Sequence, residues 1–257
     1  MTLSNTEIHG SLYTKIDQNI ATLLFAHPKG NSLTQSLLER LTKEINRLST
    51  DETVRVLVLA SEGKKAFCAG AALHEVLALT DDIDKASVFF EGFANVILAI
   101  KNCPKPVIAR VQGKSVGGAV GVLSACDAVY ATESASIRLS ELSIGIAPFV
   151  IEPAVSRALG VSGFQQLAWA PTRWKNPYWA QEKGLFHRVF DTVTDLDNAL
   201  AFYTEELSTY NPQAMQLQKQ ITWQDTSNWD TLLKERARLT AQTVLSPFCK
   251  KSLSRFR

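Results

Sequence analysis

The 257-residue chain has only four cysteines, and none stands in a C-x-x-C pair or beside a histidine. That spacing argues against a disulfide framework and against a zinc site, so no metal is expected and a reducing cytoplasm fits best. Cys68 and Cys126 sit among apolar neighbours, where thiols are expected to be buried and inert. Charge is nearly balanced, 27 lysine plus arginine against 25 aspartate plus glutamate, which leaves +2. Such a surface gives no reason to expect nucleic acid or a membrane as a partner. No apolar run approaches the length of a membrane span, and residues 1–7 lack the basic start and apolar core of a secretory leader. The G-x-x-x-x-G-K-[ST] loop of Walker-type phosphate sites is missing, and neither Ser115 nor Ser140 lies in a G-x-S-x-G turn. His27, His74 and His187 have serines and acids nearby, but triads of that kind can be drawn by chance in most chains.

An apolar content of 46% is enough for a sizeable core, arranged as one large domain or a domain with a small appendage. Residues 11–15 and 20–27 read as two strands of a hairpin. Ser32 is placed to cap a helix reaching about residue 48, with Leu33, Leu37, Leu38, Leu41 and Ile45 on one face. Residues 54–60 are apolar except for Arg55, the pattern of a strand covered on both sides. A helix is expected over 84–100, then a strand over 106–111, a short apolar helix over 116–126, and strands over 128–132 and 136–139. Helices follow at 151–159, 163–170 and 177–183. Beyond Asp195 the pattern is helical almost throughout, at 196–208, 212–221 and 229–244. This order predicts an α/β core over 1–195 and an all-α region over 196–257. Phe202, Tyr203, Trp223 and Trp229 in that region need partners, from the chain's own core or from another subunit.

Two glycine turns, each following an apolar strand, carry the chemistry. In Gly117-Gly118-Ala119-Val120-Gly121 the glycines cost a helix about 1 kcal/mol each relative to alanine. Either they permit close helix packing, or they expose the Gly118 N–H to a substrate oxygen at a helix start. The turn around Gly70 offers the N–H of Ala71 in the same two ways. Glu141 follows a short strand and lies in apolar sequence. There it is either a structural acid paired with Arg138 or a carboxyl group whose raised pKa suits proton transfer near neutrality. A fixed backbone donor and an acid are what enolate chemistry requires.

These residues resemble the enoyl-CoA hydratase/isomerase (crotonase) family. Ala66-Phe67-Cys68-Ala69-Gly70-Ala71-Ala72-Leu73 is similar to its A-F-C-A-G-A-D-L motif. Val111-Gln112-Gly113, Val116-Gly117-Gly118-Ala119 and Ala125-Cys126-Asp127 are similar to its V-x-G-x-x-x-G-G-G…A-C-D signature, and further matches carry the likeness over residues 12 to 220. The resemblance implies a spiral of β-β-α turns whose C-terminal helices build a homotrimer or a dimer of trimers. It implies an acyl-CoA thioester as substrate, with CoA entering only as part of it and no separate cofactor. The oxyanion donors map to Ala71 and Gly118, and the acid to Glu141. CoA would run along Lys29, Gly30 and Asn31 and along Ala69 to Leu73, with Lys64 and Lys65 near the phosphates.

The chain also departs from the pattern. The second glutamate of family hydratases falls at Gly121, the usual aspartate is Ala72, and the usual lysine is His74. The run from Gly145 to Pro153 resembles a bacterial branch described as methylglutaconyl-CoA hydratases, and Glu152 in it is a candidate second polar group. The reading is therefore hydration of a branched 2-enoyl-CoA, with a Δ3–Δ2 isomerase, a decarboxylase and a non-catalytic acyl-CoA-binding protein as alternatives.

Overall fold

A computed structural model describes residues 9–79 and 81–256, so the N-terminal stretch read above as lacking a leader lies outside the described residues. Strands β1 (Ser11–Asp17) and β2 (Ile20–Ala26) form the expected antiparallel hairpin. Helix α1 (Gln35–Thr50) is capped by Thr34 rather than Ser32, its hydroxyl accepting from the Leu37 N–H. The helix starts later than predicted because Leu33 is held in an extended bridge to Ala71 and Ser32 bonds the His27 ring instead. Strand β3 (Val56–Ser61) is buried at every position. Its period of two sends Leu57 and Leu59 into the main core and Val56 and Val58 to the opposite face.

The next elements are β4 (Ala66–Cys68), α2 (Leu73–Ala78), α3 (Ile83–Asn102), β5 (Val107–Val111), β6 (Lys114–Val116) and α4 (Gly118–Ala125). They are followed by β7 (Ala128–Thr132), β8 (Ser136–Arg138), a 3-10 turn at Glu141–Ile144, α5 (Glu152–Ala168), α6 (Pro177–Glu182) and β9 (Arg188–Phe190). From β3 onward, successive strands alternate between two sheets. One has the order β1-β2-β3-β5-β7-β9 and is parallel after the hairpin; the other is the parallel trio β4-β6-β8. Each turn thus gives one strand to each sheet and then a helix, which is the spiral of β-β-α turns. Val116, expected in a helix, is a strand residue because it pairs with Arg138. The helices expected at 151–159 and 163–170 are one element, α5, broken at Gly160, where φ is 72°.

The helical region consists of α7 (Val193–Thr209), α8 (Pro212–Thr222), α9 (Trp229–Val244) and α10 (Pro247–Leu253). Helix α7 covers the outer face of the large sheet, where Leu196 and Leu200 pack with Val58 and Ile108 and Tyr203 stacks on Tyr130 at 5.2 Å. Trp223 and Trp229 meet edge to face at 5.5 Å in the main core, whereas Phe202 faces solvent. All four cysteines are free and buried, and burial pushes the Cys68 thiol up to about 12. No helix among the described residues is long and apolar enough to cross a membrane.

One ion pair ties α8 to the sheet. Lys219 Nζ lies 2.6 Å from Asp127 Oδ2 and donates to the Lys105 carbonyl at 3.1 Å, and Asp127 Oδ2 also accepts the Val107 N–H. Lys219→Met leaves Asp127 without its cation. Asp127 keeps part of its surface in water, so the expected loss is about 2 kcal/mol, below the roughly 3–5 kcal/mol of a fully buried pair. Urea unfolding measures it, and an unchanged midpoint would show the pair to be idle.

Candidate active site

A cavity of about 330 Å³ opens where the β4–α2 turn, the β6–α4 turn and the 3-10 turn converge. Its walls are mostly apolar: Val76, Phe90, Phe93, Ile144, Val150 and Ile151. Of the residues singled out from sequence, Ala69, Ala71, Leu73, Gly118 and Glu141 line it together.

The two backbone donors are left over by the way each turn is pinned. Leu33 donates to the Gly70 carbonyl and accepts the Ala72 N–H, at 2.7 and 2.9 Å. In this extended bridge the Ala71 N–H points away from Leu33, and it has no acceptor among the described residues. The second turn is held by Gly117 N–H to the Arg138 carbonyl (2.9 Å) and Val120 N–H to the Gly117 carbonyl (2.8 Å). Gly118, as the first residue of α4, keeps its N–H unspent. The turns lie against each other: a β-carbon placed on Gly70 would be 3.6 Å from the Gly118 nitrogen. Two fixed N–H groups at one end of a mostly apolar cavity can hold an oxygen on which negative charge develops.

Glu141 lies beside them. A β-carbon on Gly117 would come within 2.8 Å of Glu141 Oε1, and Gly117 takes a positive φ of 57°. The positive φ requires glycine there, and a side chain would also push the Glu141 carboxyl group aside. Part of Glu141 reaches solvent, but Oε2 is buried and has no hydrogen-bond partner, and no ion pair to Arg138 forms within 4.0 Å. Burial pushes the carboxyl group up to about 7, against a weaker pull downward from its own main-chain N–H and from the Arg138 charge. It is a carboxyl group poised to change protonation near neutral pH.

The position of the absent second acid is filled. A β-carbon on Gly121 would lie 2.4 Å from Ile151 Cγ2, so the Ile151 side chain occupies that side of the cavity. Glu152 is not on the lining. It accepts from Ser156 at 2.8 Å and sits 3.9 Å from Arg236.

Lys29 and Asn31 are not on the lining either. Asn31 spends its side-chain amide on the main chain, accepting from His27 N–H and donating to the Glu62 and Ala66 carbonyls. Asn31 joins Gly30, Lys64 and Lys65 around a neighbouring cavity of about 470 Å³, and the Ala69 N–H to Gly30 carbonyl bond separates the two. Sequence reasoning missed Phe90, Phe93 and Thr240. The two phenylalanines share the apolar stripe of α3, but nothing in the chain marks Thr240, which arrives from α9.

Residues 15–257 match the family model described as enoyl-CoA hydratase/isomerase. An enoyl-CoA hydratase of Alternaria alternata is 29% identical over 249 residues, which cover 96% of this chain and 81% of that protein. A peroxisomal Δ(3,5)-Δ(2,4)-dienoyl-CoA isomerase of Arabidopsis thaliana is 25% identical over 227 residues, covering 84% and 81%. Among solved structures, an enoyl-CoA hydratase from Bacillus halodurans has a TM-score of 0.89 at 18% identity, covering 95% of this chain and 99% of that one. At that identity the likeness speaks for the fold.

Proposed function

The chain belongs to the enoyl-CoA hydratase/isomerase family, and from that premise we propose an enzyme that moves one proton of an enoyl-CoA with a single acid, Glu141. The thioester oxygen accepts from the Ala71 and Gly118 N–H groups. The Glu141 carboxylate takes a proton from C2 of a 3-enoyl-CoA, the resulting enolate is held by the two donors, and the same carboxyl group returns the proton at C4. The double bond moves from C3 to C2 and no water is consumed. The observation that carries this reading is Ile151 packed against Gly121, which puts an apolar wall where a water-holding acid would stand.

Hydration of a branched, methylglutaconyl-like 2-enoyl-CoA is the second reading, favoured by the activity for which the Alternaria alternata relative is named. There Glu141 would take a proton from the water that adds at C3 and deliver a proton to C2, leaving its own protonation state unchanged over the cycle. Mass spectrometry separates the two readings. A 3-enoyl-CoA converted without mass change supports the double-bond shift, and a water adduct from a 2-enoyl-CoA supports hydration. Loss of carbon dioxide would indicate decarboxylation, and binding without turnover would reduce the protein to an acyl-CoA carrier.

Lys64 and Lys65 are proposed to meet the CoA phosphates, with CoA entering as part of the substrate and no further cofactor in the proton transfer. A homotrimer or dimer of trimers is the assembly proposed with this reading, since Trp169, Phe202 and Ile221 leave apolar surface uncovered. The four free thiols support the cytoplasm as location.

The reading fixes a pH dependence. The base is the carboxylate, and burial holds its acid form up to about 7. The kcat/KM for the double-bond shift is expected to rise with pH, reach a plateau above about 7, and fall roughly tenfold per unit well below it. A profile flat through that range would remove Glu141 as the base.

A further inference from the structure

The cavity has one charged wall. Arg138 lines it, on the side that also carries Ser140, Glu141 and Ser143. The Arg138 guanidinium rests on the Trp174 ring, 4.5 Å from its centroid, and Lys114 approaches the same ring at 5.1 Å. Stacking uses the face of the guanidinium and leaves its N–H edge available. Arg138 Nε is buried without a hydrogen-bond partner, and no described residue pairs with this cation in an ion bridge or side-chain hydrogen bond. A half-buried cation with unspent donors in a largely apolar chamber is costly unless a ligand completes it.

Topology says which end of a ligand reaches it. The small sheet has the order β4-β6-β8, with the Ala71 turn after β4 at one edge and Arg138 on β8 at the other. On the acyl-CoA reading, the thioester oxygen would sit between the turns after β4 and β6, where the Ala71 and Gly118 N–H groups are unspent. The lysine-lined cavity that suits CoA lies beyond β4, so the acyl group extends past β6 toward β8.

We propose that Arg138 binds a carboxylate at the far end of the acyl group, so that the preferred substrates are mono-CoA esters of dicarboxylic acids. This rests on the acyl-CoA reading of the cavity and deepens it. Lys114 adds positive charge beside the pair, and Glu141 is the one acid on the same wall, set apart from Arg138 by more than ion-pair distance.

Glutaryl-CoA and pentanoyl-CoA test the idea, since they match in length and differ in a terminal carboxylate against a methyl group, and neither has a double bond to react. By calorimetry the wild-type protein is expected to bind glutaryl-CoA at least about tenfold more tightly. The ratio is expected to collapse in Arg138→Met and to return in part in Arg138→Lys. Equal wild-type affinities overturn the proposal and leave the acyl-CoA reading standing. Equal weakening of both esters by Arg138→Met also overturns it, because the arginine then serves the shared CoA portion or the fold. Failure of the wild type to bind either ester overturns both readings together.

Discussion

Glu141→Gln is expected to lower kcat/KM by about 10²- to 10⁴-fold, the range supplied by one positioned acid–base group. Glutamine keeps the shape and a carbonyl oxygen but cannot take a proton from carbon. Affinity for a saturated acyl-CoA should change little, because the backbone donors and the apolar walls remain. The same substitution has a stability signature of definite sign. The carboxyl group in the folded protein ionises at about 7, above its ordinary value of 4.5. The stability contributed by its neutral form is therefore complete below that ordinary value and is lost as pH rises through about 7. The loss amounts to about 3 kcal/mol. Glu141→Gln carries no charge to bury, so it should overtake the wild type in stability across that window while remaining inactive. A variant with half the wild-type turnover, or one with the same pH–stability curve, would defeat the assignment.

How much of this was legible in the chain depends on how far apart the interacting residues lie. Strand β3 and its two-sided burial follow from an apolar run that any sheet interior would impose, and the apolar face of α1 follows from its helical spacing. Most of the short strands escaped. Of the four three-residue strands only β8 was read from the chain; β4, β6 and β9 are too short for a period to register. Val116 looked helical beside small apolar residues, and only its pairing with Arg138, 22 residues on, makes it a strand. The glycine cluster is the more instructive case. Close packing and an exposed donor were two readings of one motif, and the packing is plain: Gly117 makes room for Glu141, Gly118 for Phe93 and Gly121 for Ile151, while the Gly118 N–H is left without a main-chain acceptor. Each partner comes from a different element, so no local pattern could assign them. Glu141 was visible as an acid in apolar sequence. Its unpartnered oxygen was not, because that depends on Arg138 being drawn aside onto Trp174.

Gly118→Ala is expected to lower kcat by about 10²- to 10³-fold, the cost of losing one oxyanion donor, and to destabilise the fold by about 1–3 kcal/mol through overpacking. An added β-carbon would sit 2.2 Å from Phe93 Cε1 and 2.6 Å from Cδ1, closer than carbon atoms tolerate. Either the ring moves or the first turn of α4 moves. The ring is hemmed in, since Phe93 is 1% exposed and meets Phe89 edge to face. The backbone therefore gives way and carries the Gly118 N–H off the line to the thioester oxygen. If this account holds, the two positions are coupled. Phe93→Leu enlarges the cavity and costs some activity alone, but combined with Gly118→Ala it should recover part of the lost kcat by letting α4 return to its place. Additive losses would mean that the methyl group harms the site by another route. Full activity in Gly118→Ala alone would mean that this N–H does not hold the oxygen, and the enolate would be left with Ala71 as its single donor.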